Sequence, residues 1–462
     1  MFRRRQRTAA FAAIAGALAL LAAPCRAADS YSAVPQDLSR LVFAPSVVTG
    51  AAPAAVAREP AGEPGARKTG TRLAESRRTQ RAISQQLDVI KAKELRDGTF
   101  APDLVDDLVT LAGLYQESGE HDVALGLLDR ARQIVRVHAG LYSLDQARMI
   151  QQAIPSYEAL KQRSAAVEAQ TELLGLARRN PSDARVAQIY AEVANSHVED
   201  VERFVSGDWS VPLNVSFTFG YSGVDGPDLP LATQYAWRSV TAAQRNYGEA
   251  IHAIVRNRSL DGPSLDELEG GLMRTYYLQE RNPHLFSPDR LSYKPMREHL
   301  HYLGVSSYER RLHYSALFKK PESEIASEQL ELGDWHLLFG EQELAYAAYR
   351  SARATLEKSG APAEEIEAFF APPTPVLLPT FGTSYVGADE AAGYQGHIDV
   401  AIALDDAGRS TRVDVTGRSV AATDAIVQRL KKYVAKSVFR PRFTNGDWAS
   451  EDHVSLRYYF SY

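Results

Sequence analysis

The chain has 462 residues, 24% of them charged, with a formal net charge of −5 and a single cysteine. This length accommodates two or three domains. The mildly acidic balance argues against general binding to nucleic acid or anionic membranes, and one cysteine excludes an internal disulfide framework.

The N-terminal stretch has three parts. Arg3, Arg4, Arg5 and Arg7 form a positive region, an apolar run extends from Ala9 to Pro24, and Cys25-Arg26-Ala27-Ala28 supplies small residues at cleavage-site spacing. This is the pattern of a bacterial secretory signal over residues 1–27, with cleavage predicted after Ala27 and the periplasm as destination. The apolar run is shorter than the roughly 20 residues a membrane-spanning helix needs. An uncleaved anchor and a lipoprotein signal on Cys25 are the alternatives, and Pro24 fits the latter poorly. Cleavage removes the only thiol and five arginines, which moves the formal charge from −5 to −10.

Residues 28–78, rich in Ala, Pro, Gly and Ser, read as a mostly disordered tether in which only the apolar piece Leu41-Val42-Phe43 suggests docking. From residue 79 the period becomes helical. Leu104, Leu108, Leu111, Leu114 and Tyr115 form one apolar series, and Val123, Leu127, Leu128 and Ala131 another. Gly119 lies between them, which predicts an αα-hairpin with close approach at Ala112 and Ala124.

In DDLVTLAGLYQESGEHDVALGLLDRA the residues Leu108, Leu111, Ala112, Tyr115, Gly119, Ala124, Leu128 and Ala131 fall on the small and large positions of a tetratricopeptide repeat. The segment resembles that repeat, with Leu108 in place of the usual Trp. SEQLELGDWHLLFGEQELAYAAYRSA resembles it too, through Leu332, Gly333, Gly340, Ala345, Tyr349 and Ala352. A looser unit with Tyr157, Ala169 and Leu173 ends at Asn180-Pro181. The resemblance implies helical repeats over 79–204. SVPLNVSFTFGYSGVDGPDLP then alternates and ends in Gly/Pro turns, which predicts an insertion, a short hairpin or a long loop, over 205–232, before a helical region over 233–370 that ends in the second repeat-like hairpin. Helical patterning in ATQYAWRSVTAAQRNYGEAIHAIVRN and LDELEGGLMRTYYLQERNP carries no legible repeat signature.

Residues 371–393 form a Pro-rich linker, and 394–462 change to strand language. Ile398, Val400, Ile402 and Leu404 alternate, and a turn at Asp405–Gly408 leads to Val413 and Val415. Ile426, Val427, Leu430, Tyr433, Val434 and Val438 line one face of an amphipathic helix, and HVSLRYYFSY closes with a strand. The order strand, strand, helix, strand, with Val438-Phe439-Arg440-Pro441 after the helix and an Asn445-Gly446 turn, resembles the C-terminal domain of the TonB family of energy transducers. The resemblance implies a periplasmic module that pairs an exposed strand edge with a segment of an outer-membrane transporter. The expected edge is the last strand, with Val454, Leu456, Tyr458 and Phe460 as partner-binding residues. Arg429, Lys431, Lys432, Lys436, Arg440 and Arg442 form a basic run that reads first as a solvated face and second as a match for an acidic partner.

The sequence holds no phosphate-binding Gly-rich loop, nucleophile elbow or His-Glu-x-x-His motif. His299 and His301 sit two apart, which on a helix puts them on different faces, and no further ligands are placed by spacing. Asp334-Trp335 and Asp447-Trp448 read as turn or cap positions followed by a packed aromatic. The expectation is therefore a multidomain, non-catalytic chain: an all-α repeat superhelix followed by a small α+β module, without metal or cofactor. It would bind envelope proteins or peptides and contact the membrane only if the signal is retained. The alternatives are an atypical energy transducer with a retained anchor, and an enzyme within residues 205–323.

Overall fold

The computed structural model describes residues 42–47, 64–205, 231–257, 262–286, 290–370, 376–379, 393–444 and 447–461. The export signal, nearly all of the expected 205–232 insertion and the Asn445-Gly446 turn lie outside them. Among the described residues no helix is long and apolar enough to cross a membrane.

The tether expectation is corrected at two places. A strand, β1 (Val42–Val47), and a helix, α1 (Pro64–Asp97), both fall within or begin in residues 28–78. Helix α1 packs on the first predicted hairpin, α2 (Leu104–Glu117) and α3 (His121–Ala139), burying Ile83 and Ile90 in the same core as Leu108 and Leu111. Gly119 makes the turn with φ +82°, a conformation that costs a side-chain-bearing residue. Ala112 and Ala124 are fully buried where the helices approach.

The array continues through α4 (Ala147–Ala159) and α5 (Arg163–Arg179), which stops at Asn180 as the spacing predicts. Next come α6 (Val186–Val205) and α7 (Leu231–Asn257), then α8 (Leu265–Arg281), opened by a capping box between Ser264 and Glu267. After the short α9 (Pro283–Phe286) come α10 (Arg290–Leu317), α11 (Glu322–Leu338), α12 (Gln342–Ser359) and α13 (Ala363–Phe370). One apolar cluster runs from Leu144 on the turn before α4 to Phe339 after α11, so the helices without a repeat signature complete the same core.

Three glycines explain how. A Cβ on Gly271, Gly304 or Gly333 would overlap the ring of Tyr247, Trp335 or Tyr349, respectively. Each helix therefore meets a neighbour through one bare backbone position and one large aromatic. Gly304→Ala is expected to destabilise the chain by about 1–3 kcal/mol, because Trp335 is fully buried and has no room to yield. A urea midpoint unchanged from the parent chain contradicts this close fit.

The C-terminal module follows the predicted order. Strands β2 (Leu377–Leu378), β3 (Gly396–Leu404) and β4 (Ser410–Arg418) precede helix α14 (Asp424–Lys436). Strands β5 (Val438–Phe439), β6 (Arg442–Thr444), β7 (Asp447–Ala449) and β8 (Glu451–Ser461) follow it. Thr423 caps α14 by accepting the Ile426 N–H. The main sheet has the order β1-β8-β3-β4, all neighbours antiparallel. Ile398, Val400, Ile402 and Leu404 join Ile426, Leu430 and Val434 in a core of their own, as the two periodicities predict.

Candidate functional site: the joint and the capped strand

The first site is the joint between the helical array and the module. Arg440, in the Val438-Phe439-Arg440-Pro441 element, reaches into α11. Its Nε and Nη2 donate to the two carboxylate oxygens of Asp334 at 2.8 and 2.5 Å. The side chains are only 10% and 5% exposed. Tyr349 of α12 donates a third hydrogen bond to Asp334 Oδ1 at 2.8 Å. Burial pulls the Arg440 guanidinium down, but the Asp334 carboxylate outweighs it and holds the pKa above its ordinary value. Burial likewise keeps the Tyr349 phenol protonated, as the donor this arrangement requires.

Apolar packing surrounds this pair. Trp448 of β7 stacks on Tyr346 at 5.0 Å between centroids and meets Tyr349 at 4.8 Å. Val438 and Leu378 enter the cluster formed by Ala345, Ala352, Leu356 and Phe370. The β3–β4 turn closes the edge: Tyr346 Oη donates to the Asp406 carbonyl at 2.9 Å, and the Phe439 N–H donates to the Gly408 carbonyl at 2.7 Å. Gly408 has φ +70°, and a Cβ there would overlap the Phe439 carbonyl.

Two sequence readings change here. Asp334 is neither cap nor turn; it lies within α11, buried, because Gly333 beside it makes room for Tyr349. Trp335 is core, as expected, and donates to the His301 carbonyl at 3.0 Å. In the basic run, Arg440 meets its acid inside this chain, and Arg442 lies 3.8 Å from Glu451. Lys432 and Lys436 are exposed, as a solvated face requires.

The second site is strand β8. The expectation that it is an open edge is corrected: β1 pairs with it along Val42↔Ser461 to Val47↔Leu456. Val454, Leu456, Tyr458 and Phe460 are buried and point into the module's core rather than toward a partner. Opposite residues of an antiparallel pair share a face. Phe43 and Pro45, opposite Phe460 and Tyr458, therefore lie on the α14 side, and Phe43 packs 5.7 Å from Tyr433. Pro45 lacks an N–H and is tolerated because β1 is itself the outer strand. The opposite edge, β4, carries Arg412, Asp414 and Arg418, charges that discourage strand addition.

The third feature is a row of carboxamides on the helical array, several of them bonded within the chain, and a cavity beside α6. Gln116 of α2 donates to the Gln152 carbonyl of α4 at 2.7 Å, and Gln151 of α4 is paired with Glu192 of α6. Farther along, Gln188 and Asn195 of α6, with Tyr247 and Glu267, line a cavity of about 460 Å³. Carboxamides donate and accept at once, which suits a peptide backbone.

His301 and His336 join α10 to α11 through a 2.9 Å nitrogen–nitrogen hydrogen bond. Burial, and secondarily His301, lowers the His336 pKa from 6.5 to about 4. Burial also lowers His301, where Arg297 acts in the same direction and Glu341 opposes it. The folded state thus favours neutral His336. Its contribution is present above pH 6.5 and is lost as pH falls toward 4, a total of about 3 kcal/mol for His336. Urea midpoints from pH 7 to pH 4 are expected to fall more steeply for the parent than for His336→Phe; parallel profiles contradict this. Among the described residues no group of three or more His, Cys, Asp or Glu side chains is placed to hold a metal ion.

No family model matches the chain, and no curated protein does. Among solved structures it is similar to BtubC (BKLC) from P. vanneervenii, at 16% identity over 62% of this chain and 92% of that one, with a TM-score of 0.33. It is also similar to the nearly identical TPR-like repeats of a kinesin light chain from Podosopora anserina. A point-substituted form of those repeats matches at 14% identity over 56% of this chain and 97% of that one, with a TM-score of 0.33. A second structure of the same repeats matches at 15% identity, 56% and 98% coverage, and a TM-score of 0.32.

Proposed function

We propose that the chain is an exported, non-catalytic scaffold that holds a protein or peptide partner on its TPR-like repeats and carries a TonB-like module fixed to the last repeat. The observation that carries this reading is the cavity of about 460 Å³ between α6, α7 and α8, lined by Gln188, Asn195, Tyr247 and Glu267 on the repeat-like array. The strand–strand–helix–strand order and the Val438–Pro441 element support the TonB-like part. The pairing of β1 with β8 supports it further, since the module already takes up an extended segment at that edge.

Fixing the module by a buried ion pair fits a scaffold better than a freely swinging force relay. Export places the partners among envelope proteins.

The test is co-purification from an envelope fraction with the full chain and with the double variant Gln188→Ala, Asn195→Ala, at the cavity. Loss of a partner from the double variant alone supports binding at the cavity, and identical partner sets overturn it. Sequencing the N-terminus of the mature protein addresses export. A start at Ala28 supports a free periplasmic scaffold, whereas a retained signal favours the energy-transducer reading.

A further inference from the structure

The joint encloses a cleft of about 120 Å³ whose walls come from both units. Tyr277 and Arg281 of α8 and Arg297 of α10 line it from the array. Arg409 of the β3–β4 turn, with Tyr433 and Lys436 of α14, lines it from the module. Four cations face one carboxylate, Glu280, which lies 3.4 Å from Arg297.

Among the described residues the other three cations have no acid partner. Arg281 donates to the main-chain carbonyl of Lys436 at 3.4 Å, a contact that leaves its charge uncompensated. Arg409 uses its backbone N–H toward Asp405, at 2.7 Å, and its guanidinium is exposed. Among the described residues no carboxylate lies within ion-pair distance of Arg281, Arg409 or Lys436. Burial raises the pKa of Tyr277 to about 12 and raises that of Tyr433, so both phenols remain O–H donors. A small cavity walled by guanidinium, ammonium and phenol donors is complementary to an oxyanion, which guanidinium groups bind through paired N–H donors.

We propose that this cleft binds an oxyanion, a phosphate or a carboxylate, and that the bound anion clamps the C-terminal module onto the helical array. The anion bridges Arg281 and Arg297 on one wall to Arg409 and Lys436 on the other. Occupancy therefore stabilises the docked arrangement in proportion to the anion's preference for it. The inference rests on the joint and stands independently of what the repeats bind.

The test is calorimetric titration of the full-length mature chain at low ionic strength with inorganic phosphate and, separately, with a tri-glutamate peptide. Sodium chloride of equal ionic strength is the control. Saturable binding of one equivalent is expected. The double variant Arg409→Gln, Lys436→Gln, at two exposed side chains that leave the fold intact by circular dichroism, is expected to weaken it at least tenfold. The control Lys431→Gln, Lys432→Gln, on the same helix but outside the cleft, is expected to leave affinity within twofold. Stronger binding of phosphate identifies a free anion as ligand, and stronger binding of the peptide identifies an acidic side chain of a partner. Equal loss in both variants, or none in either, overturns the site. Binding without slowed hydrogen exchange at Val438–Arg440 overturns the clamp.

Discussion

Arg440→Ala is expected to destabilise the docked chain by about 3–5 kcal/mol, the range found when one member of a buried ion pair is removed. The Asp334 carboxyl would be left at 5% exposure with only the Tyr349 hydroxyl to answer it. That uncompensated burial, rather than loss of the attraction itself, sets the size of the effect. The consequence should be regional. The module has its own core around Ile398, Leu430 and Phe460, and the array has its own from Leu144 to Phe339. Calorimetry is therefore expected to show the module's unfolding separating from that of the array, in contrast to one coupled transition expected for the parent. The double variant Asp334→Leu, Arg440→Met removes both charges, keeps apolar volume and should recover much of the loss. A single, unmoved transition in Arg440→Ala would show that the ring of Trp448, Tyr346 and Tyr349 holds the joint unaided.

The same residues show what the sequence could and could not disclose. The helical hairpins were legible because apolar spacing and the glycines at 119 and 340 reflect packing within a short stretch. The middle helices concealed their packing logic, since Gly271 opposite Tyr247 and Gly304 opposite Trp335 sit outside the repeat's customary positions. The alternation of Val454, Leu456, Tyr458 and Phe460 marked a strand, but the residues expected to meet a partner are the buried face. It carried no information on whether the strand was an edge, because that depends on a segment some 400 residues earlier in the sequence. Gly-Asp-Trp at 333–335 has the composition of a turn but lies inside α11, where Tyr349 and Arg440 meet it from elsewhere in the chain. Long-range pairing of this kind leaves no periodicity to read.

Removing residues 28–47 is expected to cost little global stability while lowering the protection of the outward β8 amides against hydrogen exchange by at least tenfold. A net hydrogen bond contributes about 1 kcal/mol, and ordering each backbone residue costs about 1–2 kcal/mol. Six paired residues therefore come close to balance, and the half-buried Phe43 against Tyr433 tips it toward docking. A strand held so narrowly is exchangeable, and its attachment to the same chain is what keeps the edge covered. Without it, β8 presents unpaired main-chain groups over an apolar face, whereas the charged β4 edge is unchanged. The truncated chain is thus expected to self-associate at micromolar concentration in size-exclusion chromatography. A synthetic peptide of residues 40–49 should reverse this and restore protection, and Phe43→Asp in that peptide should abolish the rescue. β8 amides that stay protected in the truncated chain would show that β1 is not the cover of that edge.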